Sequence, residues 1–123
     1  MKTKNDIVKD WLPRYTGTQL DEFGEYIILV NFSKYVEMFA EQYDVKIKGK
    51  DRSMISATAE NVTIINFGMG SPNAGTIIDL LTAISPKAAI FLGKCGGIKT
   101  NKNKVGDLIL HIAAIRGEGT SND

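Results

Sequence analysis

The stretch from Val62 to Ile98 constrains the fold more than any other part of the sequence. Residues 62–67 are largely apolar and β-branched, which is typical of a buried strand. The turn Gly68–Gly70 follows, and its glycines allow backbone N–H groups to come close to a ligand. Ser71 is a candidate N-cap, and Pro72 then stands at the first helical position, where its missing N–H is not needed. The pattern predicts a strand, a glycine-rich turn and the start of a helix.

A second strand and a second glycine-rich turn complete this stretch. Apolar residues recur at helical spacing from Ala74 to Ile84, and Ser85-Pro86 ends that helix. Ala88–Leu92 is another short apolar run, and Gly93–Gly97 closes it. A right-handed βαβ crossover places both glycine-rich turns at the carboxyl edge of one parallel sheet. Helix N-termini and bare backbone amides at that edge favour anions.

The chain before this stretch predicts further elements of the same kind. Residues 2–12 predict a short amphipathic helix, capped by Thr3 or Asn5 and ended by Pro13 and the Thr16-Gly17 pair. The remaining predictions are a central strand at Tyr26–Val30, a helix marked by Val36, Phe39, Ala40 and Tyr43, and an antiparallel strand at Met54–Ala59 that forms a hairpin with residues 62–67 through Glu60-Asn61.

The chain after this stretch contains a third strongly apolar run, Asp107–Ile115, which predicts another strand. A lone histidine such as His111 in an apolar run is more often a sheet residue than a ligand or a base. Cys95 is likewise expected to pack, since no second cysteine or adjacent base is present to activate it. The basic cluster from Lys46 to Arg52 is either a solvated surface or a phosphate contact, and the sequence leaves both open.

Composition excludes several functional classes. A chain of 123 residues suits one domain, and a net charge of +1 gives no indication of a nucleic-acid or anionic-membrane partner. The single cysteine excludes an internal disulfide framework. No zinc-type Cys/His spacing, Walker A motif or complete dinucleotide fingerprint occurs, so neither a metal nor a cofactor is expected. No apolar run approaches transmembrane length, and a cytoplasmic protein is expected.

Three motifs, VTIINFGMGSPNAG, FLGKCGGI and VGDLIL, resemble the nucleoside phosphorylase/nucleosidase family, which cleaves N-glycosidic bonds of purine nucleosides and uridine. The resemblance implies an α/β fold with three αβα layers around a mostly parallel central sheet, incomplete in this chain. Residues 1–25 would form an N-terminal helix and arm, and residues 26–123 the amino-terminal half of a nucleoside phosphorylase-like domain. With WLPRYTG and AAIRGEGTSND included, the chain looks most like the short bacterial AMP nucleosidases, which hydrolyse AMP to adenine and ribose 5-phosphate.

The resemblance also implies roles for individual residues. It places Gly68, Met69, Gly70, Lys94, Asn31 and Lys34 at the phosphate and ribose, and Cys95, Gly96, Gly97, Arg116, Glu118, Thr120 and Ser121 around the base and ribose. Lys94 stands where phosphorylases usually carry Ser or Thr. A cation there suits the fixed 5′-phosphate of a nucleotide and fits hydrolysis better than phosphorolysis. The family's Gly-Asp-Pro signature is absent around Asn31 and Lys34.

The catalytic residues of the family come from a later segment. The resemblance implies that the catalytic acid lies beyond Asp123 and that this chain alone is inactive. Two alternatives stay open, a purine nucleoside phosphorylase that uses free phosphate and a non-catalytic nucleotide-binding module. Family members are dimers that assemble into hexamers, so a homo-oligomer is expected. The expected small-molecule partner is AMP or phosphate, with no nucleic acid and no membrane.

Overall fold

A computed structural model describes residues 1–117 and 119 of the chain, so Glu118 and residues 120–123 lie outside the description. The described residues form three helices and four strands, with a short 3₁₀ turn at Leu20–Glu22. The elements are α1 (Lys4–Thr16), β1 (Tyr26–Val30), α2 (Ser33–Tyr43), β2 (Ser56–Ala59), β3 (Val62–Asn66), α3 (Ser71–Leu81) and β4 (Ala88–Phe91).

The strands form one mixed sheet in the order β2-β3-β1-β4. β1 is central and pairs in parallel with β3 on one side and β4 on the other, whereas β2 is antiparallel to β3. The β2–β3 hairpin turns at Glu60 and Asn61, whose φ angles of 53° and 65° match the two-residue turn that suits the twist of paired strands. The predicted hairpin and the predicted crossover around the central stretch are both confirmed.

Helices cover the sheet on both faces, which confirms the expected three-layer α/β architecture. Side chains alternate across each strand, so Ile27 and Leu29 of β1 enter one core and Val30 enters the other. The first core lies under α1 and α3 and contains Val8, Leu12, Ile27, Leu29, Met54, Ile65, Phe67, Ile77, Leu80 and Leu81. The second lies under α2 and contains Val30, Val36, Ala40, Ala57 and Ile64.

Helix α1 extends further than the sequence predicts. Thr3 caps it, as expected, but the helix passes through Pro13 and ends at Thr16. A proline this close to the C-terminal end removes only one helical hydrogen bond, to the carbonyl of Lys9. Gly17, with φ at 74°, ends the helix in the left-handed conformation and donates its N–H to the Pro13 carbonyl at 2.8 Å.

Helix α3 differs from its prediction at both ends. Ser71 is the first helical residue and not the N-cap, which is Gly70, without a side-chain hydrogen bond. Pro72 is consequently the second helical residue, where its missing N–H is again not needed. The helix ends at Leu81, and Thr82 turns the chain by donating its hydroxyl to the Asp79 carbonyl at 2.6 Å. Residues 82–84 are therefore a turn and not a continuation of the helix.

The strand predicted at Asp107–Ile115 is wrong for this structure, in which these residues form no ladder. Their side chains are exposed, from 55% for Ile109 to 100% for Ile112, and His111 is exposed among them. An apolar run becomes a strand only where a neighbour pairs its backbone groups and covers its side chains. The free edge of β4 offers such pairing, but the run does not occupy it. Within the described residues, no helix is long and apolar enough to span a membrane.

A buried hydroxyl network joins the end of α1 to β2. The Ser56 hydroxyl donates to the Thr16 carbonyl at 2.7 Å and lies 2.7 Å from the Thr18 hydroxyl. Thr16, Thr18 and Ser56 are all essentially inaccessible to solvent. Because water does not reach these groups, the network stabilises the junction only while every member keeps its partner.

We predict that Ser56→Ala lowers the free energy of unfolding by about 1–3 kcal/mol, since it leaves the Thr16 carbonyl and the Thr18 hydroxyl without this partner. Ser53→Ala, at an exposed position nearby, is the matched control and should change stability by less than about 0.5 kcal/mol. Urea unfolding of both variants measures the difference. Equal stabilities would show that the network does not hold α1 to the sheet.

Candidate functional site

The topology creates a crevice at the carboxyl edge of the sheet. β1 and β3 are adjacent and parallel, but the chain leaves β1 towards α2 on one face and leaves β3 towards α3 on the other. Ligands of open α/β sheets bind outside the carboxyl ends of the strands where adjacent loops diverge in this way. The loops that border this crevice are residues 31–32, 67–70 and 92–97.

Backbone and side-chain hydrogen bonds hold these loops in place. The Asn66 side chain accepts from the Gly68 N–H at 3.0 Å and donates to the Ser33 hydroxyl, also at 3.0 Å. It therefore ties the loop after β3 to the start of α2. Asn66 is not among the site residues predicted from the sequence, although an amide side chain at the carboxyl end of an apolar strand is a usable signal.

A cavity of about 380 Å³ opens on the α3 side of the crevice. Its lining is mainly apolar and consists of Leu29, Asn31, Phe67, Gly70, Ser71, Ala74, Ile77, Ile78 and Phe91. Such a lining suits a planar base or the carbon face of a sugar better than a phosphate. None of these lining residues carries a charged side chain.

Asn31 lines this cavity and carries a buried polar acceptor. Its side-chain oxygen is buried and has no hydrogen-bond partner among the described residues. A buried acceptor without a partner favours a ligand group that donates, such as a hydroxyl, and disfavours a phosphate oxygen. Of the two moieties to which the sequence analysis assigned Asn31, its environment suits the ribose.

The Gly68–Gly70 turn lies between β3 and the start of α3. Both glycines adopt positive φ, 85° and 90°, which side-chain-bearing residues rarely do. Met69 between them is 62% exposed and contributes nothing to the core. The two glycines leave the backbone of this turn free of side chains at these positions, which suits the close approach of a phosphate or a ribose.

Two lysines lie on the α2 side of the same edge. Lys34 is exposed in the first turn of α2, and the Lys94 ammonium lies 5.5 Å from the Phe32 ring and 5.7 Å from the Tyr35 ring. The first turn of α2 contains no acidic residue, and Phe32 gives it no side-chain cap. The positive end of a helix disfavours cations and favours anions, so this side of the crevice favours an anion.

The other predicted site residues do not reach the cavity. Cys95, Gly96 and Gly97 are exposed in the loop after β4, and Arg116 is exposed near the end of the described part. None of them lines the cavity. The predicted packing of Cys95 is wrong, because the loop that carries it has no neighbouring element to cover it. Glu118, Thr120 and Ser121 lie outside the described residues.

A second cavity of about 440 Å³ lies at the opposite edge of the sheet. Its lining follows the C-terminal end of α3, where helix carbonyls disfavour an anion. The cation there, Lys87, already pairs with Glu25 at 2.6 Å, and this hydrogen bond lowers the pKa of Glu25 below its usual value. Among the described residues, no cluster of three or more His, Cys, Asp or Glu side chains could hold a metal ion.

Comparison with known proteins gives a consistent family. The sequence profile of the Phosphorylase superfamily matches residues 25–123. The crystal structure of an AMP nucleosidase from Bacteroides thetaiotaomicron is 64% identical in sequence, with a TM-score of 0.76 over 78% of this chain and 42% of that chain. An AMP nucleosidase of Escherichia coli (strain K12) is 24% identical over 144 residues, which cover 87% of this chain and 30% of that protein.

A more distant solved structure shares the fold. Purine nucleoside phosphorylase from Toxoplasma gondii, crystallised with immucillin-H, is 21% identical, with a TM-score of 0.55 over 64% of this chain and 34% of that one. The chain thus spans less than half the length of each of these three relatives.

We predict that Asn66→Ala loosens both loops that it joins and lowers the free energy of unfolding by about 1–2 kcal/mol, because two hydrogen bonds are lost. Ser33→Ala, which removes only the bond to α2, is the matched control and should have about half that effect. Urea unfolding measures both values. Equal effects of the two substitutions would mean that the bond to Gly68 does not contribute.

Proposed function

The chain belongs to the Phosphorylase superfamily, and on that premise we propose that it takes part in the hydrolysis of AMP to adenine and ribose 5-phosphate. The 64% identity to the Bacteroides AMP nucleosidase supports this choice within the superfamily. Because the chain spans 42% of that protein, we assign it only one role in the reaction, which is to bind and hold the nucleotide.

The division of the crevice into a cationic and an apolar side carries the proposal. The 5′-phosphate binds on the α2 side, where Lys94 and Lys34 supply charge. Adenine and ribose occupy the cavity on the α3 side, where Asn31 accepts a hydrogen bond from a ribose hydroxyl. The Gly68–Gly70 turn borders the cavity at Gly70, and its glycines allow the sugar phosphate to come close.

Hydrolysis of AMP requires two different functions, binding of the nucleotide and transfer of a proton to the purine. Cleavage of the glycosidic bond builds positive charge on the ribose and negative charge on the purine, so an acid must protonate the purine at N7 while water attacks the anomeric carbon. Among the described residues, the cavity lining contains no carboxylate. We therefore assign binding and orientation of AMP to the described residues, and we propose that the acid is supplied from outside this lining.

Lys94 favours hydrolysis over phosphorolysis in this proposal. A cation that already holds the 5′-phosphate of the substrate is not available to bind a free phosphate as the second reactant. Its exposed loop position allows it to reach a ligand phosphate, which a charge-assisted hydrogen bond then fixes. The reaction should consequently proceed without added inorganic phosphate.

We predict that Lys94→Ala weakens binding of AMP by about tenfold and binding of adenosine hardly at all, since only AMP carries the phosphate. A charge-assisted contact at an exposed site contributes about 1.5 kcal/mol. Isothermal titration of the 123-residue chain measures both affinities, with Lys87→Ala at the opposite edge as the control. Equal losses for the two ligands would make Lys94 a structural residue.

The purified 123-residue chain also tests whether binding of AMP and supply of the acid belong to different parts of the protein. Adenine release from AMP should be absent although AMP binds, because the described residues anchor the nucleotide without supplying the acid. Turnover at an enzymatic rate by a chain of verified mass would contradict this assignment, and Glu118 and Asp123 would then be the first acids to substitute.

We also propose that the chain self-associates. Ile90 and Phe91 of β4 are both 55% exposed although they lie on opposite faces of the sheet, and one edge of β4 is unpaired. Exposed apolar strands with a free edge promote association between chains.

We predict that Ile90→Lys shifts the chain towards the monomer in sedimentation velocity, whereas Ile78→Lys on α3, equally exposed but on a helix, shifts it less. A monomeric unsubstituted chain would refute the proposal.

A further inference from the structure

The Lys94 ammonium is held by a pair of aromatic rings. It lies 5.5 Å from the centre of the Phe32 ring and 5.7 Å from the centre of the Tyr35 ring. Both distances fall within the range in which a ring attracts a cation. The rings themselves meet edge to face, with centres 6.1 Å apart and planes at 80°. One loop after β4 and the first turn of α2 are thereby joined by a single side chain.

No carboxylate competes for this ammonium in the part of the chain that the structure describes. The ion pairs found there engage Lys4, Arg14, Lys48, Arg52 and Lys87, and none engages Lys94. The ammonium is therefore available to a ligand while the rings fix its position. A lysine without such a contact loses much rotameric freedom when it binds.

We propose that Phe32 and Tyr35 are positioning residues that hold Lys94 at the start of α2 for the phosphate. This inference rests on the proposed function, because it assumes that the anion of the substrate binds there. A neighbouring aromatic pair on α2, Phe39 and Tyr43, meets at 4.8 Å, and no cation of the described residues lies over it. Aromatic pairing on this helix therefore does not by itself require a cation. The Phe32–Tyr35 pair differs from the Phe39–Tyr43 pair in that the Lys94 ammonium lies within about 6 Å of both ring centres.

Trace acetylation of lysines, read by mass spectrometry, measures the contact without a ligand. Rings that stabilise the ammonium slow its acetylation, so Lys94 should react about two- to fivefold faster in the Phe32→Leu/Tyr35→Leu double variant. Lys87, at the opposite edge of the sheet, is the internal control, and Tyr43→Leu is the matched variant. Tyr35→Phe keeps a ring and should restore slow acetylation, and Phe32→Leu alone provides a second test if the double variant fails to fold. An unchanged Lys94 rate in both leucine variants would overturn the proposal.

The same reaction with ribose 5-phosphate measures the consequence for binding. The ligand should protect Lys94, and the double variant should need about two- to fivefold more ligand for equal protection. Equal protection at equal concentration would overturn the positioning role. If ribose 5-phosphate gives no protection in the unsubstituted chain while the ligand-free rates still respond to the rings, the phosphate site of the proposed function is wrong and the rings have no role in binding.

Discussion

The parallel pairing of β1 with β3 is the constraint on which the rest of the structure depends. It aligns two strand ends at one edge, and the departure of the chain towards α2 on one face and α3 on the other opens the crevice between them. The hydrogen bonds of Asn66 then connect the two departing loops. Without this register, the glycine-rich turn, the apolar cavity and the lysines would not share one edge.

The sequence predicted those strands that have a paired neighbour in the sheet. Tyr26–Val30 is apolar throughout and is a strand between two neighbours, and the hairpin at Glu60-Asn61 follows from its local turn geometry. Asp107–Ile115 is just as apolar but forms no strand, because pairing depends on a partner that an apolar pattern does not specify. The prediction that Pro13 ends α1 was wrong, because a proline in the last turn of a helix removes only one helical hydrogen bond and does not stop the helix.

The sequence predicted where the candidate site lies in the sheet but not which of its residues contact one another. Glycines and lysines after apolar strands mark the carboxyl edge, but the contact of Lys94 with Phe32 and Tyr35 joins residues far apart in the sequence. The apolar cavity and the buried oxygen of Asn31 likewise arise from packing. Together they divide the crevice into a cationic side and an apolar side, and the proposed binding of a nucleotide depends on this division.

The central claim is that this crevice anchors the phosphate of a nucleotide, and a crystal structure of the chain with ribose 5-phosphate tests it most directly. The account predicts phosphate density within hydrogen-bonding distance of the Lys94 ammonium, with the ribose directed past Gly68–Gly70 towards Asn31. Phosphate density at the opposite edge beside Lys87, with the crevice occupied only by solvent, would contradict it.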